Sequence, residues 1–277
     1  MYKINNDVML KFFQTNNETK FFYTCCDIAN AGKERYGIKS VEFYTQKENT
    51  PGFEYVEFIE NLFKMLFVYI NTTSDNLIES ACKKATEIFD LYDTVQISMP
   101  NIDLMKNDII LKYFNISDIN KSEHGIYALL SNNKLPKLNI PDNVEISIAS
   151  SEQIEKIKSL DNFDNEEWDY LPRQLPYIQS HQSELLILLH NNNVLAGYLH
   201  ANTLYKNFYD IANLFVHKDF RGNGFGILLT VYYAHYCLNN GFIPHYGSAT
   251  SKYSENVAIK SGFEEMSRSH YFKITKK

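Results

Sequence analysis

Glycine is scarce in this chain, with 11 in 277 residues; there are 7 prolines, 4 cysteines and a single tryptophan. Each shortage excludes something. So little glycine and proline rules out a collagen-like or low-complexity chain. Four cysteines, two of them adjacent at Cys25 and Cys26, give neither a disulfide framework nor a zinc-ligand spacing, and no metal is expected. Positive charge is short as well: 27 Lys and Arg stand against 33 Asp and Glu, a formal net charge of −6. That balance argues against a nucleic-acid partner, which requires a basic face. Long apolar runs are missing too. The most apolar stretch, FIENLFKMLFVYI, is interrupted by Glu60, Asn61 and Lys64, so no membrane association is expected. The first residues, MYKINNDVMLKFF, have no signal-peptide pattern. Reduced thiols and a cytoplasmic location follow as expectations.

What is present describes a globular protein, with 44% hydrophobic, 14% aromatic and 22% charged residues. The length allows two domains of ordinary size. The break falls at SNNKLPKLNIPDN, residues 131–143, where two prolines and four asparagines separate two strand-like stretches. The expected domains are residues 1–135 and 136–277.

In the second half, NVEISIAS reads as a strand and SEQIEKIKSL as a helix. NEEWDYLPRQLPYIQSH reads as a short helix broken by Pro172 and Pro176. ELLILL and VLAGYLHANTLY are strands joined by HNNN, and YDIANLFV is another. Ile227, Leu228, Val231, His235 and Leu238 then recur at helical spacing until Asn240-Gly241. HYGSAT is a strand, SENVAIKSGF a helix ending at Gly262, and HYFKIT a last strand. The first half closes in the same order, with the helix DNLIESACKKATEIFD, the strand TVQISMP, the helix DLMKNDIILKYF and the strand HGIYALL. The repeated order suggests a duplicated fold with one degenerate copy.

Against this scarcity, Gly222, Gly224 and Gly226 crowd into FVHKDFRGNGFGILL. The loop is not a P-loop, because Ile227-Leu228 stands where lysine and Ser/Thr are needed, and its G-x-G-x-G spacing is not the dinucleotide fingerprint. Glycines that turn successive N–H groups toward one point, ahead of a helix N-terminus and beside Arg221, nevertheless make an anion cradle.

LFVHKDFRGNGFGILL resembles the signature of the GNAT acyltransferase superfamily: Arg or Gln, two residues, Gly, one residue, then Gly or Ala. Arg221, Gly224 and Gly226 fill those positions. GFIPHYGSATSKYSENVAIKSGF is similar to the strand and helix that follow in the family, ending in Gly262-Phe263. PHY, Ser254 and VAIKSGF are similar to a bacterial branch of generic GNAT acetyltransferases. The resemblance implies an α/β (α+β) GNAT fold: a mixed, mostly antiparallel sheet with two splayed central parallel strands, here in two GNAT-like halves.

It also implies the chemistry. Acetyl-CoA would be the acyl donor, with its pyrophosphate on the N–H groups of Gly222, Asn223, Gly224, Phe225, Gly226 and Ile227 and beside Arg221. Leu214, Phe215 and Val216 would follow the pantetheine arm, and Ser254 would approach the cofactor from the next helix. The Leu214 N–H would polarise the thioester carbonyl. The resemblance puts a carboxylate base at Asp210, on the strand parity of Leu214 and Val216, with His200, His245 and Glu184 as further candidates. The tyrosine that many members place four residues before the helix-ending glycine is Ala258 here, and the asparagine near that helix's start is Ser251. Tyr246 or Tyr253 would stand in as the acid, or water would protonate the departing thiolate. Trp168, Tyr170, Glu166 and Glu167 would roof the acceptor.

The implied activity is N-acetyl transfer to a small amine or amino-acid-like acceptor by direct attack, in a chain that is monomeric or a homodimer. The alternatives are a non-catalytic acyl-CoA sensor, favoured by Ala258, and transfer of a longer acyl group or to a hydroxyl. The first half lacks the glycine signature and is expected to bind no coenzyme A. A hydrolase is disfavoured by the absence of a G-x-S-x-G elbow.

Overall fold

A computed structural model describes residues 1–16, 18–33, 37–100, 108–117, 123–129, 131–159, 168, 170–181 and 184–277. The chain forms two compact units, residues 1–124 with 266–277 and residues 125–265.

The first unit contains β1 (Tyr2–Ile4), α1 (Asn6–Thr15), α2 (Phe22–Asn30), β2 (Ile38–Thr45), β3 (Tyr55–Asn61), β4 (Met65–Asn71), α3 (Asp75–Ile88), β5 (Thr94–Met99), α4 (Asp108–Tyr113) and β6 (Phe114–Ser117). Its sheet runs β1-β2-β3-β4-β5, followed by the chain's last strand β13 (Glu264–Lys276) and then β6. Neighbours are antiparallel except β4 and β5. Leu77, Ile78, Ala81 and Ala85 form the apolar stripe of α3 and pack on Val56, Leu66, Val68, Ile70, Val95 and Ile97.

The second unit begins within β7 (Glu123–Ala128) and continues with β8 (Val144–Ile148), α5 (Ser151–Lys158), α6 (Leu171–Ser180), β9 (Glu184–Asn191), β10 (Val194–Tyr205), β11 (Phe208–Val216), α7 (Phe225–Asn239), β12 (Ile243–Ala249) and α8 (Lys252–Lys260). Its strand order is β8-β9-β10-β11-β12-β7, antiparallel except β11 and β12. One face packs Leu185, Ile187, Leu189, Leu199 and Ala201 on Leu229, Tyr233, Ala234 and Cys237 of α7. The other packs Leu186, Leu188 and Tyr198 on Ile154 and Ile157 of α5 and Leu171, Leu175 and Ile178 of α6.

Two expectations change. The units do not divide by one cut at residue 135: residues 125–135 lie in the second unit, and the last strand, expected there, pairs with β5 and β6 in the first. Nor do the prolines break α6. Pro172 sits in its first turn, where no intrahelical N–H is called for, and Pro176 is carried inside the helix. Of the helix expected over DLMKNDIILKYF, residues 103–107 lie outside the described residues. The four cysteines are buried thiols.

Candidate active site

The site is built where β11 and β12 part. These parallel strands pair only through Phe208–Ile243, Tyr209–Pro244 and Asp210–His245. Pro244 has no N–H to give to a neighbour, an unusual choice for an interior strand. A phenol from α7 bridges the strands there: Tyr233 donates to the Tyr209 carbonyl and accepts from the His245 N–H at 3.2 Å. Beyond this vertex the strands separate. In the first unit the corresponding parallel pair, β4 and β5, stays closed from Met65–Thr94 to Tyr69–Ser98.

A cavity of about 870 Å³ lies beside the opening. Of the residues singled out in the sequence, it is lined by Leu214, Phe215, Val216, Arg221, Gly222, Gly224, Phe225, Gly226, Ile227, Tyr246 and Ser254, with Ser251 and Tyr253. Gly222 and Gly224 have φ of 85° and 78°, and a Cβ at either would point into open space. Their backbone conformation, not crowding, calls for glycine. Gly224 is the N-cap of α7, with no side chain capping the helix. The N–H groups of the first turn have no partner within a helix, so they and the dipole are available to an anion, a stabilisation of about 0.3–2 kcal/mol. This donor set suits a pyrophosphate. The Arg221 Nε donates to the Val216 carbonyl at 3.0 Å, tying the loop to the end of β11. Asn223 is not on the lining; its Nδ2 donates to the Phe220 carbonyl at 3.1 Å. Ser251 and Ser254 complete a capping box at the start of α8.

Asp210 departs from the expected placement. Between Ile211 and Asn213 the register of β11 against β10 slips, leaving the exposed Ala212 as an extra residue. Such a bulge reverses the side-chain alternation. Tyr209 and Ile211 before it, and Leu214 and Val216 after it, all join the cluster on the α7 face. Asp210 therefore points to the opposite, α6 face. There it is buried, with the His245 Nδ1 at 2.8 Å from its carboxylate. A second pair shares this face: the His200 Nε2 lies 2.6 Å from the Glu184 carboxylate, and both side chains are buried. His200 is opposite Asn213, one step from the Leu199–Leu214 pair, whereas Asp210 is opposite Asn202.

The acid candidates separate clearly. Burial and the neighbouring Tyr127 push the Tyr246 phenol well above its ordinary range, so it keeps its proton at neutral pH. Tyr253 is 86% exposed at the cavity rim. Ala258 is fully buried in the core, facing away from the cavity lining. Trp168 is also core, 5.3 Å from the His217 ring and packed near Phe215 and α6. Tyr170 is half exposed; Glu166 and Glu167 lie outside the described residues. Asn202, whose buried Oδ1 has no hydrogen-bond partner, went unnoticed in the sequence. The alternation of Tyr198, His200 and Asn202 along an otherwise apolar strand was the available signal.

Among the described residues no group of three or more His, Cys, Asp or Glu is placed to hold a metal ion, and no helix is long and apolar enough to cross a membrane. Residues 151–260 match the family model described as Acetyltransferase (GNAT) family. No curated protein matches the sequence. Among solved structures, the chain is similar to a GCN5-related N-acetyltransferase from Kribbella flavida, with 12% identity, 80% of this chain and 87% of that one covered, and a TM-score of 0.54. A tandem GNAT protein from the clavulanic acid biosynthesis pathway, at 12% identity, covers 97% of this chain and 92% of its own, with a TM-score of 0.53. A Drosophila protein, at 13% identity, covers 99% and 97% with a TM-score of 0.58. The chain has the GNAT fold, in company with a tandem member, and its residues 151–260 are an acetyltransferase (GNAT) family domain.

Proposed function

We propose that this protein is an acetyl-CoA-dependent N-acetyltransferase acting on a small amine or amino-acid-like acceptor by direct attack. The observation that carries the reading is the uncapped, glycine-rich start of α7 opening into the cavity where β11 and β12 part. The thioester brings the activated acetyl group. The N–H groups from Gly222 to Ile227 bind its pyrophosphate, and the Leu214 N–H polarises its carbonyl. The amine nitrogen bonds to the acetyl carbon, the C–S bond breaks, and coenzyme A leaves as thiolate. The amine's proton passes to the chain. His200, oriented through Nε2 by Glu184 and one residue pair from Leu214, is the nearer base; Asp210 with His245 is the more distant one. Thiols are acidic enough to leave without a strong acid, so the high pKa of Tyr246 is no obstacle. A cytoplasmic protein, as monomer or homodimer, completes the proposal.

The second reading, a non-catalytic acyl-CoA sensor, is favoured by the burial of Ala258 in the core. Calorimetric titration with acetyl-CoA and coenzyme A, followed by thiol release with an amine panel, separates the two. The enzyme reading expects one site per chain and amine-dependent thiol release. Binding without release supports the sensor, and no binding refutes both. Two sites per chain would refute the degenerate role of the first unit.

A further inference from the structure

A second cavity, of about 300 Å³, lies in the second unit where α5 packs on β8, β9 and the start of β10. It shares no lining residue with the cavity beside β11 and β12. Three elements bring its polar groups together. Glu145 of β8 is opposite His190 of β9, and His190 is opposite Leu195 of β10, so the three lie on one face of the sheet. Gln153, Lys156 and Ile157 of α5 recur at i, i+3 and i+4, the spacing that puts side chains on one helix face. Asn193, with φ of 64° in the turn between β9 and β10, adds an amide.

Ile157, Leu188 and Leu195 give this cavity an apolar floor, and its walls carry both signs of charge. Gln153 is engaged: its Oε1 accepts from the Ser150 N–H at 2.9 Å and its Nε2 donates to the Ser147 Oγ at 3.1 Å. The side chains of Glu145, Lys156, His190 and Asn193 make no hydrogen bond or ion pair with any described residue. Elsewhere on α5 opposite charges do pair, as Lys158 does with Glu155 at 2.9 Å. Burial, first, lowers the His190 pKa; Glu145 raises it and Lys156 lowers it, so both charges reach the imidazole, which is neutral at pH 7. A carboxylate and an ammonium on one cavity, not paired with each other, are matched together only by a guest that carries both signs.

We infer that this cavity binds a free aliphatic α-amino acid as a zwitterion, at a site separate from that of the transfer reaction. The ligand's ammonium donates to the Glu145 carboxylate, and its carboxylate accepts from the Lys156 ammonium and the Asn193 amide. The neutral His190 adds one donor or one acceptor. The aliphatic side chain lies on Ile157, Leu188 and Leu195, where a charged one would lose its hydration. Small-ligand sites run from about 300 to 1,000 Å³, so this one suits a single amino acid and not coenzyme A. The inference stands whether or not the protein transfers acetyl groups.

The test is calorimetry of the full chain with L-valine and L-leucine, without acetyl-CoA. The expected result is one site per chain with a Kd below about 1 mM. N-acetyl-L-leucine, which lacks the cation, 3-methylbutylamine, which lacks the anion, and L-aspartate should each bind at least about tenfold more weakly. Glu145 and Lys156 are exposed, so Glu145→Gln and Lys156→Gln leave the fold intact. Each should weaken L-leucine by at least about tenfold while leaving coenzyme A affinity unchanged. L-leucine binding that is unchanged in both variants puts the amino acid at the acceptor position or elsewhere and overturns the site, as does no binding of either amino acid. Loss in one variant only makes this a site for a single charge and overturns the zwitterion.

Discussion

The carboxylate of Asp210 accepts a hydrogen bond from the His245 Nδ1 at 2.8 Å, at the last residue pair before β11 and β12 separate. Both side chains are buried, on the face opposite that of Leu214. Asp210 therefore stands beside the vertex of the two strands, three residue pairs from Leu214, where it would orient the acceptor rather than act on the amine at the thioester. In Asp210→Asn, which keeps the shape and an oxygen for His245, the acceptor KM should rise about tenfold with kcat within about threefold. His200→Gln should instead lower kcat by about 100-fold with little change in the acetyl-CoA KM. Steady-state kinetics on the two variants decides the roles. A kcat loss in Asp210→Asn at all pH values, with His200→Gln normal, would return the base to Asp210.

Gly224 caps α7 with φ of 78° and has open space where a Cβ would stand. Gly224→Ala meets no clash, so its stability cost is the left-handed conformation alone, about 1–2 kcal/mol. The new methyl would, however, project from the loop whose N–H groups face the cavity. Coenzyme A affinity should fall at least tenfold, beyond what the stability loss accounts for. Calorimetry at a temperature where the variant is fully folded separates the two effects.

Tyr233→Phe tests the vertex itself. The phenol is fully buried and spans the Tyr209 carbonyl and the His245 N–H. Burial above all, with Cys237 and Asp210 nearby, holds its proton on at any working pH. Removing the hydroxyl leaves two buried backbone groups short of a partner beside a proline that cannot compensate. The expected cost is about 1–3 kcal/mol in urea unfolding. A neutral result would mean that the strands close across the vertex without the phenol.

How far the sequence reached depended on whether the controlling interactions were local. The glycine loop and the stop at Asn240-Gly241 are short-range chemistry, and each was readable from a few residues, whereas the helix read from Ser151 is in fact capped one residue earlier, by Ser150. The bulge at Ala212 was not readable, because an extra residue leaves an apolar strand looking uniform. That one residue reversed the predicted direction of Asp210. The placement of β13 was equally hidden: HYFKIT alternates as any terminal strand does, and nothing in it specifies β5 as the partner rather than a strand of its own half. Asn202 was passed over because a single amide in a strand has meaning only once Glu184 and Asp210 are known to flank it.

The first unit has its own buried charge, and this makes its stability depend on pH. Glu57 is 2% exposed, its Oε2 is 3.4 Å from the Thr24 hydroxyl, and its Oε1 has no hydrogen-bond partner. Burial first, and the nearby Asp27 second, push its carboxyl well up. Burial likewise pushes the Asp27 carboxyl up to about 7. The folded state therefore binds protons that the unfolded chain has released above about pH 4. Stability rises with pH only where the unfolded state binds more protons; here the folded state does, so this pair makes stability fall as pH rises from about 4 through 7. Asp27→Asn removes one of the two charges and should raise the urea midpoint at pH 8 while changing it little at pH 4.5. Paired unfolding curves at the two pH values give the answer. A midpoint that falls at pH 8 in Asp27→Asn would mean that the ionised pair is held by partners strong enough to offset its burial.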